Sequence, residues 1–377
     1  MIYLDSAATT LQKPPAVAQA SANAIRTLAS PGRGGHPAAA RAANTAFACR
    51  SLAAELFKVE NPEQVIFTSN ATHGLNIAIK TLVHSGDRVV ISGYEHNAVT
   101  RPLVTLGANI LVAQAPLFQP QAMLAQFDRA ITPDTKAVIC THVSNVFGYV
   151  LPVREIAGLC RQREVPFVLD ASQSAGILPV SMQELEADFI AMPGHKGLYG
   201  PQGTGLLLCG REEVSTVLEG GTGSISAKTE MPDFLPDRLE AGTHNMPGVA
   251  GLLEGLRFVQ RTGLERIRRH EWELLRTAAG KLAACPGVTA FWEPAGKCQA
   301  GVLSFQIADM DCETAGEALA SQGIAVRSGL HCAPLAHRTA GTFDSGTIRA
   351  SFSAFNRRTD AMQLIKAVSQ LARSHAS

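Results

Sequence analysis

Six short runs, apolar at nearly every position, recur between residues 64 and 209: "QVIFT" ending at Thr68, "RVVIS" at Ser92, "AVICTHVSN" at Asn145, "PFVLD" at Asp170, "DFIAM" at Met192 and "GTGLLLC" at Cys209. A strand that is hydrophobic on every residue must be covered on both faces. The segments between these runs carry helical periodicity; after Thr72, for example, Leu75, Ala78, Ile79, Leu82 and Val83 fall on one helix face. The alternation predicts an α/β fold with a mainly parallel sheet and helices on both sides.

Other segments extend this plan. In "RGGHPAAARAANTAFACRSLAAELF" a glycine loop leads into a helix opening at Pro37, where the missing N–H of proline costs nothing. The alternation stops near Gly242 to Pro247, and one long helical stretch is expected from Val249 to Cys285, ended by "PGV". Then "GVLSFQIA", "CETAGEALASQG", "IAVRSG", "GTIRASFSAF" and a last helix, Asp360 to Ala372, imply a smaller α+β domain. The expected division is a large domain over 16–245 and a smaller one built from 246–377 together with 1–15.

Composition excludes some function classes. Lysine plus arginine (33) balances aspartate plus glutamate (32), so neither nucleic acid nor an acidic membrane has an electrostatic reason to bind. No apolar run is long enough for a bilayer span, and "MIYLDSAATT" lacks the basic start of a secretory signal. A soluble, cytoplasmic protein is expected. The eight cysteines include no CxxC pair, which disfavours a zinc ribbon or a disulfide framework. "CTH" at Cys140 and "HC" at His331 could be metal-ligand fragments, but no second close pair supports them and no metal is expected.

In open α/β sheets ligands bind beyond the C-terminal ends of the strands. Thr72, His96, Asn145, Asp170, Gln173 and Lys196 all fall at such ends. Lys196 sits in "MPGHKGLYGPQGTG" and is the only formally charged residue between Asp188 and Arg211. Asp170 follows four apolar strand residues, where a carboxylate is costly to bury without a cation. Three readings are open: Asp170 is a helix N-cap, Asp170 and Lys196 form a salt bridge, or a cofactor lies between them. Pyridoxal phosphate (PLP) needs a lysine amine free of anionic neighbours and an acid that keeps its ring nitrogen protonated. The glycines are expected to let the backbone approach such a ring closely. "FTSNATHGLN" supplies a helix start whose free N–H groups near Ala71 and Thr72 suit a phosphate. His96, in "GYEHNAV", could stack on the ring, act as an acid, or be an ordinary loop residue.

The motifs "YLDSAATT", "GRGGHP", "FTSNATHGLN", "EHNAV", "HVSNVFG", "LDASQSAG", "PGHKGLYGPQGTG", "LEAGTHN", "IAVRSGLHCAP" and "IRASFSAFN" occur in the order found in class V aminotransferase-fold enzymes. Across nearly its whole length the chain resembles the cysteine desulfurase and selenocysteine lyase group. The resemblance implies a fold-type I PLP enzyme with a seven-stranded large-domain sheet, working as a homodimer. Lys196 then resembles the Schiff-base lysine, Asp170 the pyridinium partner and His96 the ring-stacking histidine. Gln173 would contact the ring hydroxyl, and Thr72 (with Ala71) and His195 the phosphate. Thr243 resembles a phosphate ligand that each subunit donates to the other. Asn145 and Arg349 would hold the substrate carboxylate, with His36 and Ala7 beside the substrate. Cys332, in a polar loop with Arg327, Gly329, His331 and Pro334, resembles the catalytic cysteine.

Three positions depart from the family pattern. Pro193 stands where many desulfurases have a phosphate-binding serine, so phosphate binding would rest on Thr72, His195 and Thr243. His244 replaces a usual proline, and "LAHRTAGTFDSG" lengthens the segment between Cys332 and Arg349. The activity implied is desulfuration of L-cysteine to L-alanine through a persulfide on Cys332, with L-selenocysteine as a further substrate and a thiol or an acceptor protein as the sulfur or selenium sink. A transaminase or another β-lyase of the same fold, and a non-catalytic scaffold, are the competing readings. A nicotinamide-binding Rossmann enzyme is disfavoured because no GxGxxG occurs.

Overall fold

The computed structural model describes residues 1–32 and 34–375. Its centre is a seven-stranded sheet in the order Val65–Thr68, Gly205–Cys209, Phe189–Pro193, Phe167–Asp170, Thr135–Thr141, Arg88–Ser92, Asn109–Ala113. Gly205–Cys209 runs antiparallel to both of its neighbours, and the other pairs are parallel. Six of these strands are the apolar runs of the sequence. The seventh, Asn109–Ala113, lies half exposed at the sheet edge, where one side of the strand needs no cover. Hydrophobic clusters fill both faces of the sheet, one around Val90, Val138 and Leu169, the other around Ile91, Ile139 and Val168.

Because Gly205–Cys209 is the sole reversed strand of this sheet, Thr68, Ser92, Thr141, Asp170 and Pro193 all end on the same edge. That edge positions the site. The helix Ala71–Leu82 opens there, capped by the Asn70 side chain on the His73 N–H, and so does Asn97–Leu106.

The stretch expected as one helix from Val249 to Cys285 is two helices, Met246–Thr262 and Leu264–Ala283. Gly263, at φ 85°, ends the first and begins the second; a left-handed backbone cannot continue an α-helix. The helix at Pro37 runs to Phe57, and the last helix spans Arg358–His375. A second sheet of four antiparallel strands orders Arg327–Gly329, Thr347–Ser351, Val302–Ile307 and Val288–Phe291. Ile2–Tyr3 pairs in parallel with Ile324–Ala325, and Leu4 is buried in the same core as Leu303, Phe305 and Ile348.

Candidate active site

A cleft of about 490 Å³ opens at the shared strand edge, lined by Ala71, Thr72, His96, Asn145, Asp170, Gln173, Pro193, His195 and Lys196 among others. Residues from five strand ends thus meet in one place.

Among the described residues, no hydrogen bond or ion pair joins Lys196 to Asp170, so the simple salt bridge is not formed. Asp170 is 2% exposed. One of its oxygens accepts from the Ser172 N–H at 2.9 Å, closing a turn rather than capping a helix, and no cation pairs with the carboxylate. Leaving such a group uncompensated costs several kcal/mol, about 3–5 where a buried pair has been broken. Burial, opposed by Asp170 and reinforced by Arg349 and Arg327, pulls the Lys196 amine down to about 8. The amine is therefore far closer to its nucleophilic form at neutral pH than a free lysine.

Glycines around Lys196 make room for neighbouring parts of the chain. A Cβ at Gly197 would stand 2.4 Å from the Ala175 carbonyl oxygen, and one at Gly205 2.7 Å from Thr68 Oγ1. They let strand and loop backbones pack on each other, and the lysine is held in place by that packing.

His96 caps the helix Asn97–Leu106: its Nδ1 accepts from the Ala98 N–H at 3.0 Å. A ring that accepts at Nδ1 carries its proton on Nε2 and is neutral, and burial pushes its pKa down to about 4. His195 is likewise lowered to about 4, by burial first and then by Lys196 and Lys13, and its Nδ1 meets Thr9 Oγ1 at 3.0 Å. The backbone N–H groups of Ala71 and Thr72 open the first turn of their helix, where no intrahelical partner exists.

The cap gives His96 a structural role. His96→Ala should lose ~1 kcal/mol of stability, whereas His96→Asn should keep the cap and the fold; thermal melts on the two variants check this.

Gln173 Nε2 donates to the Ala7 carbonyl at 2.9 Å, which fixes the amide and brings Ala7 alongside. Asn145 Nδ2 donates to the His331 carbonyl at 2.8 Å, tying the site to the cysteine loop. Arg349 is 2% exposed; its Nη1 donates to the Asn145 carbonyl at 2.9 Å and its Nη2 to Asp5 Oδ1 at 2.6 Å. Among the described residues its Nε–H has no acceptor. Asp5 thus orients Arg349 and leaves part of its fork free. Sequence reasoning quoted Asp5 in "YLDSAATT" without giving it a role. Glu95 was also missed: it is fully buried beside Asp170, accepts from Ser92 Oγ and from the Thr141 N–H at 2.8 Å, and burial raises it to about 8.

Of the expected site residues, Ala7, Arg349 and Cys332 adjoin this cleft rather than line it, and His36 and Thr243 do not line it either. His36 is exposed and caps the helix Pro37–Phe57 through Nδ1 to the Ala39 N–H. Thr243 lines a separate cleft of about 830 Å³ with Glu240 and His244. There His244 has a clear consequence. Its Nε2 meets Glu240 Oε2 at 2.5 Å, while Arg50 grips both Glu240 oxygens and the Phe67 N–H donates to Oε1. Glu240 is buried, with its pKa held down by His244 and Arg50 against the upward push of burial. Glu240→Ala leaves Arg50 buried and unpaired, so a loss of ~3–5 kcal/mol is expected, read as a lower thermal midpoint with Arg50→Met/Glu240→Met as the less damaged control.

Of eight free cysteines, Cys332 alone is exposed; six are buried and Cys285 is intermediate. Burial raises the thiol pKa of Cys49, Cys140, Cys160, Cys209, Cys298 and Cys312, which keeps those six protonated. His331 and Cys332 both have positive φ, at 54° and 56°, an uncommon backbone for residues other than glycine. The Cys332 carbonyl accepts from the Asn97 N–H at 2.9 Å, so the loop is pinned beside His96. The longer segment after it folds as the helix Pro334–Ala340, anchored by the buried His337 on Thr342 Oγ1 at 2.8 Å. Among the described residues, no group of three or more His, Cys, Asp or Glu side chains is arranged to hold a metal.

The cleft fits PLP chemically. It offers an amine without a partner, a buried carboxylate without a cation, unpaired N–H groups at a helix start and a neutral imidazole at its edge. Pro193 lines the same cleft and supplies no donor there.

Residues 2–364 match the family model described as Aminotransferase class-V. The chain is 33% identical over its full length to a probable cysteine desulfurase of Mycolicibacterium paratuberculosis, of which it covers 56%. It is 30% identical to a probable cysteine desulfurase of Methanothermobacter thermautotrophicus, with 98% of the chain and 94% of that protein aligned. Among solved structures, the apo cysteine desulfurase of Thermococcus onnurineus NA1 superposes with a TM-score of 0.90 at 30% identity, covering 99% of this chain and 95% of that one. The chain spans little more than half the length of the mycobacterial relatives it matches. With a fold, a strand-edge cleft and a whole-length match in agreement, the chain belongs to the aminotransferase class-V family.

Proposed function

We propose that this protein is a PLP-dependent cysteine desulfurase that converts L-cysteine to L-alanine and takes the sulfur as a persulfide on Cys332. The observation that carries the reading is the separation of Lys196 and Asp170: both line one cleft, neither pairs with the other, and the exposed thiol lines the adjoining groove. Bound in the cleft, PLP would supply an electron sink for the carbanion left when the substrate loses its α-proton.

The chain's own residues would do the rest. Asp170 would hold a proton on the ring nitrogen, and Lys196 Nζ, with its lowered pKa, would both hold the cofactor and remove the α-proton. Ala71 and Thr72 N–H groups, with His195, would hold the phosphate, with Thr243 contributed by the other subunit of a homodimer. His96 and Gln173 would hold the ring. Asn145 and Arg349 orient the substrate carboxylate, with Ala7 beside it. His36 would line the substrate pocket from its exposed position at the start of the helix Pro37–Phe57. Cys332 Sγ, as thiolate, attacks the substrate sulfur, and the Cβ–S bond breaks as the Sγ–S bond forms.

L-Selenocysteine would be accepted in the same pose, since only the chalcogen changes. All eight cysteines are free, as in a reducing compartment, which supports a cytoplasmic setting. No helix of the described residues is long and apolar enough to cross a membrane. The test is product analysis on L-cysteine and L-selenocysteine side by side, with alanine, sulfide and selenide quantified. Alanine in step with sulfur loaded on Cys332 supports the reading. A keto acid in place of alanine would mean an aminotransferase or a different β-lyase.

A further inference from the structure

We propose that the groove beside Cys332 is a receptor for a small thiol carrying an anionic group, and that this thiol discharges the sulfur from Cys332. The proposal rests on the desulfurase reading and names the acceptor for it. The groove spans about 740 Å³, counting the part open to solvent, and joins the cofactor cleft at Thr72 and His96. Its walls are two packed helices, Ala71–Leu82 and Asn97–Leu106. Thr72, Asn76 and Lys80 follow one another at i, i+4 and i+8 on the first, and Asn97, Arg101 and Thr105 do so on the second. Cys332 lies at the end nearest His96, with the two cations one to two turns further along.

Among the described residues no acidic side chain lines the groove. Lys80 and Arg101 are exposed and, among the described residues, form no hydrogen bond or ion pair. Arg154, Arg161 and Arg163, by contrast, each have an acid on a neighbouring element. A concave space of this size suits a small molecule, whereas a folded partner needs about 800 Å² of surface on each side. A thiol at one end and a carboxylate a helical turn away would match Cys332 at one end and the two cations at the other.

The step balances without an added oxidant. The acceptor thiolate attacks the outer sulfur of the Cys332 persulfide, a new S–S bond forms, and the Sγ–S bond breaks. The electron pair leaves on Sγ, which returns as thiolate, and the acceptor departs as its own persulfide.

Cys332 is to be loaded in two ways, by L-cysteine in a single turnover and by sulfide exchange onto an activated mixed disulfide. Discharge is followed by mass at the Cys332 peptide with mercaptosuccinate (anionic), 2-mercaptoethanol (neutral) and cysteamine (cationic). The ratio of mercaptosuccinate to 2-mercaptoethanol rates should fall about tenfold in Lys80→Glu/Arg101→Glu, about threefold in Lys80→Gln/Arg101→Gln, and cysteamine should gain in the first variant. Ratios that stay the same in both variants overturn the proposal. Loading by exchange but not by L-cysteine would overturn the desulfurase reading alone, because the charge test still reads the groove.

Discussion

Lys196→Ala should abolish alanine release from L-cysteine, a loss of about 10⁴-fold or more, while thermal stability stays the same or rises. The amine removes the substrate's α-proton in the proposed mechanism, and a positioned base is worth up to about 10⁴ by itself. Loss of covalent anchorage to PLP adds to that. Stability should not suffer because the amine has no hydrogen-bond or ion-pair partner among the described residues, and burial disfavours its charge. The pH dependence carries the same signature. With its pKa at about 8 rather than 10.5, the amine is neutral roughly 300-fold more often at pH 7 than a free lysine. Covalent capture of PLP by cofactor-free protein, fixed with borohydride and read by mass at Lys196, should rise with pH up to about 8 and level above it. A rise that continues to pH 10 would contradict the lowered pKa. The group's folded-state pKa is depressed below its unfolded value. Deprotonation is therefore favoured in the folded state: the burial penalty on stability is absent above about pH 10.5, grows as pH falls, and is full below about pH 8.

Cys332→Ala should lower sulfur release from L-cysteine by about 10³-fold or more, in keeping with removal of a nucleophile from a preassembled site. PLP binding should be unchanged, since Cys332 lies on the neighbouring groove rather than in the cofactor cleft. Turnover of L-selenocysteine should fall less, because its carbon–chalcogen bond is weaker and needs less help from the thiolate. The measurement is alanine formed from each substrate, with the bound-PLP spectrum as the check on occupancy. Undiminished turnover of L-cysteine by a variant that still binds PLP would remove the persulfide from the mechanism.

Much of the site was legible before any coordinates. A lysine without a local counter-ion and an aspartate after a buried run are conspicuous in one dimension, because an unpaired charge at a strand end is expensive wherever the strand lies. The helix start after "FTSN" was legible for a similar reason: small capping residues before apolar periodicity have a local cause. Asp5 was not legible as the partner of Arg349. The two are separated by 344 positions, and nothing in either neighbourhood marks the pair. Arg50, Glu240 and His244 belong to the same class, with 190 positions between the arginine and the glutamate. The glycines beside Lys196 were legible as glycines, but not the packing of Gly197 on the Ala175 carbonyl, of Gly194 on the Thr204 side chain or of Gly205 on Thr68, since the fold brings those partners in.

By itself, then, the order of residues determined the strands, most helices, the chemical identity of the cleft and the one cysteine set in a polar loop, all of which follow from short-range preference and from the cost of burying charge. Only the tertiary structure decided that one reversed strand leaves five strand ends on a common edge, that Gly263 divides the long helix, and that Asp5 holds Arg349. It also placed His36 and Thr243 outside the cleft of a single chain. The physical reason is the same throughout: a local energy can be read from neighbouring residues, whereas the pairing of distant groups depends on where the packed core brings them.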